Sequence, residues 1–206
     1  MYQLFTISGS CSTGIHILMN KLAVPKQVLT RDDVPDYTAI VPTGQVPALR
    51  NGDKVITEGG AIALYLMERY APEHLNQLPI DEFRQWMMFN YATMQPAYGK
   101  MYAVHCAIEQ GKAQPELLNE MTATTMKLWG IVNERLATRE FMVGDQPTII
   151  DYVLTVYANW GSFYHRQAMP LGEHVLRLVK HVSELAEFVA AFEQEGVSFS
   201  IPDNAF

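Results

Sequence analysis

The sequence predicts a two-part chain, an α/β domain followed by an all-helical one, and three observations carry that prediction. The first seventy residues alternate short β-rich runs with helical ones. A stretch with two prolines and no apolar periodicity, "APEHLNQLP", follows at 71–79. Beyond it the texture is helical throughout. This places an N-terminal domain at 1–74, a linker at 75–82 and an all-helical domain at 83–206.

Each element has its own signal. "YQLFTI" is rich in β-formers and stops at Ser8-Gly9, as a buried strand would. From Ile15, the positions Ile15, Leu18, Met19 and Leu22 follow the i, i+3, i+4, i+7 period of an amphipathic helix. Ser10 or Ser12 is placed to cap it. "KQVLT" reads as a second strand, and "VPALR" and "KVIT" as a hairpin around the turn "NGD". "GGAIALYLMERY" returns to helical spacing at Ile62, Leu66 and Tyr70. The predicted order is β-α-β-(irregular)-β-β-α. In the second part, "TIIDYVL" sets Thr148 and Asp151 at the spacing of a capping box.

Composition excludes several functions. The 206 residues are 49% hydrophobic and 18% charged, which suits an ordinary globular protein. Net charge is −7 without a run of Lys or Arg, so no nucleic-acid or anionic membrane partner is expected. No apolar run approaches eighteen residues, and "MYQLFTISGS" carries no signal-peptide pattern. With only two cysteines, the expectation is a cytoplasmic protein without a disulfide framework. The histidines show no i, i+4 pairing and no His/Cys cluster, so no metal site is read. Asp81-Glu82 and Glu193–Glu195 read as solvated faces.

Three stretches carry chemistry. "GSCSTG" sets Cys11 at a strand-to-helix turn between Ser10 and Ser12. Free N–H groups and the helix dipole there would favour a thiolate; the alternative is a small apolar filler. Gln45-Val46-Pro47 puts a proline at a strand start. A cis Val46–Pro47 bond would expose Val46 to an added peptide strand, while a trans bond would make this a plain edge proline. Glu58-Gly59-Gly60 precedes a helix, where an acidic group meets an ammonium and backbone N–H groups meet a carboxylate. Alternatively, Glu58 only complements the helix dipole. Lining one cleft, the three would suit a ligand with a free α-amino acid at one end, a peptide in the middle and a thiol. That ligand is glutathione.

On "GSCSTGIHI", "VPTGQVPAL" and "TEGGAIALYL", the chain resembles the cytosolic glutathione transferases, and within them the bacterial beta-like group. The resemblance covers the whole chain. It implies a thioredoxin-like N-terminal domain with a cis proline and a helical-bundle C-terminal domain. It also implies that Val46, with Gln45 and Pro47 beside it, pairs with the cysteinyl backbone of glutathione, and that Glu58 and Gly59 hold its γ-glutamyl end. The thiol-activating position falls on Cys11, with Ser10 and Ser12 as neighbouring donors. A homodimer, through the apolar surface of "WMMFNYATM", is implied as well.

Two positions depart from the resemblance. Gly59 stands where a serine is usual, and Gln95 where the beta-like group carries a histidine. Tyr98, Tyr102 and His105 share one side of a helix and are read either as walls of a co-substrate pocket or as a core stripe. Trp160, Phe163 and Tyr164 form a second aromatic cluster, and Cys106 reads as a buried spectator. The implied activity is a glutathione transferase acting on small hydrophobic electrophiles, with glutathione-dependent disulfide or peroxide reduction through Cys11 as further chemistry. The other reading is a non-catalytic interaction module on the same fold.

Overall fold

A computed structural model describes residues 1–161 and 169–200. Strand β1 (Tyr2–Thr6) lies in the middle of a four-stranded sheet of order β2-β1-β3-β4. Its central place suits its β-rich run, with Leu4 and Phe5 buried on opposite faces. It pairs in parallel with β2 (Lys26–Thr30), Leu4 opposite Val28. A parallel pair needs a crossover, and helix α1 (Cys11–Lys21) supplies it. Strands β3 (Ala48–Asn51) and β4 (Lys54–Thr57) close the sheet as an antiparallel hairpin, with Leu49 opposite both Leu4 and Ile56. The turn works because Gly52 takes φ +60° between them.

Leu4 and Leu49 face the main core with Ile15, Leu18 and Ile62. Phe5 and Ala48 face the other way and pack with Tyr37 and Val41 in a smaller cluster. Short helix α2 (Tyr37–Ile40), in the segment expected to be irregular, provides that cover. Tyr37 also donates its hydroxyl to the Gln45 carbonyl at 2.7 Å, fixing the loop ahead of the cis Val46–Pro47 bond. Helix α3 (Gly59–Tyr70) completes the N-terminal domain.

The 71–79 stretch is not an open connection. Helix α4 (Pro72–Gln77) forms there, because Pro72 sits in the first turn, where no N–H is needed, and Leu75 is buried. Next come α5 (Ile80–Met88), a π-helical turn (Phe89–Met94) and α6 (Gln95–Glu109) as one rod. Pro96 lacks the N–H for a regular bond and crowds the carbonyl four residues back, which accounts for the irregular turn preceding it. Helices α7 (Pro115–Leu136), α8 (Ile149–Trp160), α9 (Glu173–Ser183) and α10 (Ala186–Glu195) complete the fold. Among the described residues no helix is long and apolar enough to cross a membrane.

Helix α8 is buried from Ile149 to Asn159, so it is apolar on all sides rather than on one stripe. Its capping box is formed as expected. Thr148 Oγ1 accepts from the Ile150 N–H at 3.2 Å, and Asp151 accepts from the Thr148 N–H at 2.8 Å. The other Asp151 oxygen accepts from the Met142 N–H at 2.9 Å, tying the preceding loop to the helix. Burial pushes the Asp151 carboxyl up to about 6 against the pull of these donors. Of the two acidic stretches, Asp81-Glu82 is solvent-facing as expected, with the Glu82 side chain 41% exposed while it pairs with Arg135 at 2.6 Å. The side chain of Glu195, by contrast, is only 1% exposed.

Asp151→Ala strands buried donors at Met142 and Thr148. It is expected to lower stability by about 2–4 kcal/mol, read as a lower urea midpoint at unchanged slope. An unchanged midpoint would remove this bracket from the account of the helical domain.

Candidate active site

The turn from β1 into α1 is braced from within and from outside. Gly9 takes φ +71°, a conformation that suits glycine. Ser10 is the N-cap of α1 and accepts from the Ser12 N–H at 3.2 Å. Ser12 is wholly buried; it donates its hydroxyl to the Ile7 carbonyl at 3.2 Å and accepts from the Ile7 N–H at 3.1 Å. Its hydroxyl also meets that of Ser10 at 2.7 Å, so its proton stays within the turn whichever of the two donates, and only Ser10 of the two serines reaches the cleft beside Cys11. From outside, the Gly9 N–H donates to Glu195 at 3.0 Å, and Trp160 donates its indole N–H to the Gly9 carbonyl at 2.7 Å.

Cys11 begins α1, and its thiol points to the Val46 carbonyl at 3.7 Å. The helix N-terminus was expected to favour a thiolate. Instead burial pushes the thiol up to about 11, and the charge of Glu58 adds to the rise. The amide groups of Cys11 and Ser12 and the Ser10 hydroxyl pull the other way and lose. Cys11 is a protonated thiol at neutral pH.

A cleft of about 310 Å³ opens in front of this thiol. Gln45, Val46 and Pro47 line it from the loop before β3, with Val46–Pro47 in the cis form. Thr57, Glu58 and Gly59 line it from the β4–α3 junction. Glu58 holds φ +67°, a strained region for a residue with a side chain. The first-turn N–H groups of α3 have no acceptor within the helix and open at this junction. Among the described residues Arg31, just after β2, is the one cation of the lining, already paired with Asp32 at 2.7 Å, and Glu58 is the one carboxylate. The helical domain contributes Tyr91, Gln95 and Trp160.

The other aromatic candidates lie elsewhere. Tyr98 is buried in the helical core, where its hydroxyl accepts from the Trp129 indole N–H at 2.8 Å and its ring packs edge-on behind Trp160 at 5.3 Å. Tyr102 is 63% exposed, and His105 is half-buried outside the cleft lining. Tyr98 is buried while Tyr102 faces solvent, and the cleft meets α6 at Gln95. At 1.5 Å per residue, His105 is roughly 15 Å further along the axis. Cys106 is half-buried rather than buried. Phe163 and Tyr164 lie outside the described residues. A larger, shallower hollow of about 430 Å³ between α7 and α9 is lined by Arg139, Arg177 and His181. Arg177 there is spent on the Leu136 and Arg139 carbonyls at 2.7 Å each, so that hollow offers little free chemistry.

Gly14 stands where a second cysteine would make a Cys-x-x-Cys pair. A Cβ there would come within 2.5 Å of Val153 Cγ2, because α1 and α8 pack closely at this point. The fold itself keeps Cys11 a single thiol.

Comparison with known proteins agrees with this geometry. Residues 15–74 match the family described as "Glutathione S-transferase, N-terminal domain". Over 208 residues the chain is 24% identical to glutathione S-transferase GstA of Escherichia coli O157:H7, covering 95% of this chain and 99% of that one. It is 33% identical to the glutathione S-transferase-like protein tpcF of Aspergillus fumigatus over 97 residues, 42% of this chain, and spans only 43% of that relative's length. A sphingomonad glutathione S-transferase, solved in complex with glutathione, superposes with a TM-score of 0.80 at 18% identity, covering 95% of this chain and 100% of that one. A thioredoxin-like sheet, a helical domain and a cleft at their junction define the glutathione transferase fold. Residues 15–74 match the glutathione S-transferase N-terminal domain, and the chain resembles a glutathione S-transferase along nearly its whole length.

The raised thiol has a direct test. In a Cys106→Ser background, alkylation of Cys11 by iodoacetamide is expected to be slow at pH 7–8 and to rise with a midpoint near 11. A midpoint below 8 would show that the helix N-terminus outweighs burial.

Proposed function

We propose that the cleft binds glutathione and presents its thiol to small hydrophobic electrophiles. The observation that carries this reading is the convergence of Glu58, the α3 N-terminus, the Val46 backbone and the Cys11 thiol on one cleft. Glu58 would take the α-ammonium of the γ-glutamyl end, and the Gly59 and Gly60 N–H groups its carboxylate. Val46 would pair with the cysteinyl residue in strand fashion. Arg31 and Gln45 would meet the glycine carboxylate. The cleft volume is at the small end of the range for ligand sites, which suits a tripeptide.

The ligand sulfur then lies near Cys11 and Ser10. Cys11 would be a donor to a thiolate, because it keeps its proton at neutral pH. Lowering the glutathione thiol from about 8.5 by two units would raise its thiolate fraction at pH 7 from a few per cent to a majority. The sulfur lone pair forms the new carbon–sulfur bond, the leaving group departs with its electron pair, and the thiol proton passes to solvent. The indole of Trp160 offers the apolar wall for the electrophile.

Disulfide chemistry through Cys11 is the lesser role, since its thiolate is scarce at neutral pH. A mixed disulfide at Cys11 would also need a second glutathione to release it, given Gly14. A homodimer fits the exposure of Met88 and Tyr70 near the domain junction.

Calorimetric titration with glutathione is expected to give a Kd between micromolar and low millimolar, with Glu58→Ala weakening it at least about tenfold, or 1.4 kcal/mol. Absence of binding at millimolar glutathione would overturn the transferase reading and favour the interaction module.

A further inference from the structure

Position 59 brings only backbone to the cleft, and the space its side chain would occupy is already taken. A Cβ on Gly59 would lie 2.6 Å from Tyr91 Cζ and 2.9 Å from Tyr91 Oη. The Tyr91 phenol is laid against the first residue of α3, its ring and hydroxyl filling the space beside the bare Cα of Gly59.

That hydroxyl is buried and has no hydrogen-bond partner among the described residues. An O–H in this state burdens the free protein, because its desolvation is not repaid. Burial, and next the charge of Cys11, push its ionisation well above the ordinary tyrosine value, so the group is a donor at any physiological pH. Tyr91 also sits inside the π-helical turn Phe89–Met94 rather than in regular helix. Such turns commonly re-aim side chains at functional sites. The turn is anchored from behind, where Asn90 donates to the Ile150 carbonyl at 2.9 Å.

We infer that Tyr91 is a ligand-binding residue, its phenol donating to the carboxylate that the Gly59 and Gly60 N–H groups hold at the N-terminus of α3. This rests on the reading of the cleft as a glutathione site. A carboxylate seated there supplies the acceptor that Tyr91 lacks, and the bare Cα of Gly59 is what lets the phenol approach. The two residues form a matched pair: one gives up a side chain so that the other can reach the ligand from the helical domain.

The test is Tyr91→Phe, which keeps the ring and removes only the hydroxyl. Two probes are titrated: glutathione, and S-methylglutathione, which keeps the γ-glutamyl carboxylate but has no thiol. Both affinities are expected to fall about tenfold, as for loss of one hydrogen bond to a charged group. The melting temperature of the free variant is expected to hold or rise, because an unsatisfied buried group has been removed. Wild-type affinity in the variant for both probes would overturn the inference. So would a loss confined to glutathione, which would assign the hydroxyl to the sulfur. A fall in affinity accompanied by a melting temperature several degrees lower would also overturn it, marking Tyr91 as structural. Failure of the wild-type protein to bind either probe would instead sink the glutathione site itself.

Discussion

One carboxylate near the end of the chain holds the beginning of it. Glu195, on α10, accepts from the Gly9 N–H at 3.0 Å, from the Thr13 hydroxyl at 2.7 Å, and meets His16 Nδ1 at 2.9 Å. Gln194 takes the other ring nitrogen of His16 at 2.8 Å. A buried carboxylate is tolerated only when its oxygens are satisfied, and here the turn that carries Cys11 is what satisfies them. Each hydrogen bond to a charged acceptor is worth about 1.5–3 kcal/mol. The turn at the floor of the cleft is therefore braced from the helical domain. The contact of Gly14 with Val153 and the bond from Trp160 to Gly9 draw the same two domains together at the same place.

That closeness decides the chemistry of Cys11. A helix N-terminus contributes about 0.3–1 kcal/mol to a nearby anion, which is less than one pKa unit. Full burial can move a thiol by several units in the opposite direction. The packing that positions the loop thus also desolvates the sulfur, and desolvation wins. A protonated Cys11 is better suited to donating toward another sulfur than to attacking as a nucleophile.

Much of this architecture was legible in the sequence, because the relevant signals are local. The apolar run of β1, the "NGD" hairpin, the start of α1 and the Thr148–Asp151 box each depend on residues within a few positions of one another. What escaped depends on partners far apart. Glu195 resembles a solvated acid until His16, 179 residues away, is placed beside it. Arg31 follows an ordinary strand, and nothing nearby marks it as facing a cleft. Helical periodicity grouped Tyr98, Tyr102 and His105 by angle, but it says nothing of height, and the cleft lies at the start of α6. Tyr91 was hidden for a different reason. The i→i+5 bonding of a π turn shifts the phase on which such counting rests.

The unfavourable features are not spread evenly. Among the described residues, the buried side-chain polar atoms without a partner are Tyr91 Oη and Asn90 Oδ1, adjacent in the π turn. The strained Glu58 backbone faces the same cleft. Strain of that kind costs about 1–3 kcal/mol and persists only where its surroundings enforce it. Elsewhere buried carboxylates such as Asp151 and Glu195 are fully engaged, so the fold is able to satisfy its polar groups. Where it leaves the Tyr91 hydroxyl unpartnered at the cleft, a ligand carboxylate would supply the missing acceptor, and the desolvation already borne by the free protein would not be incurred again on binding.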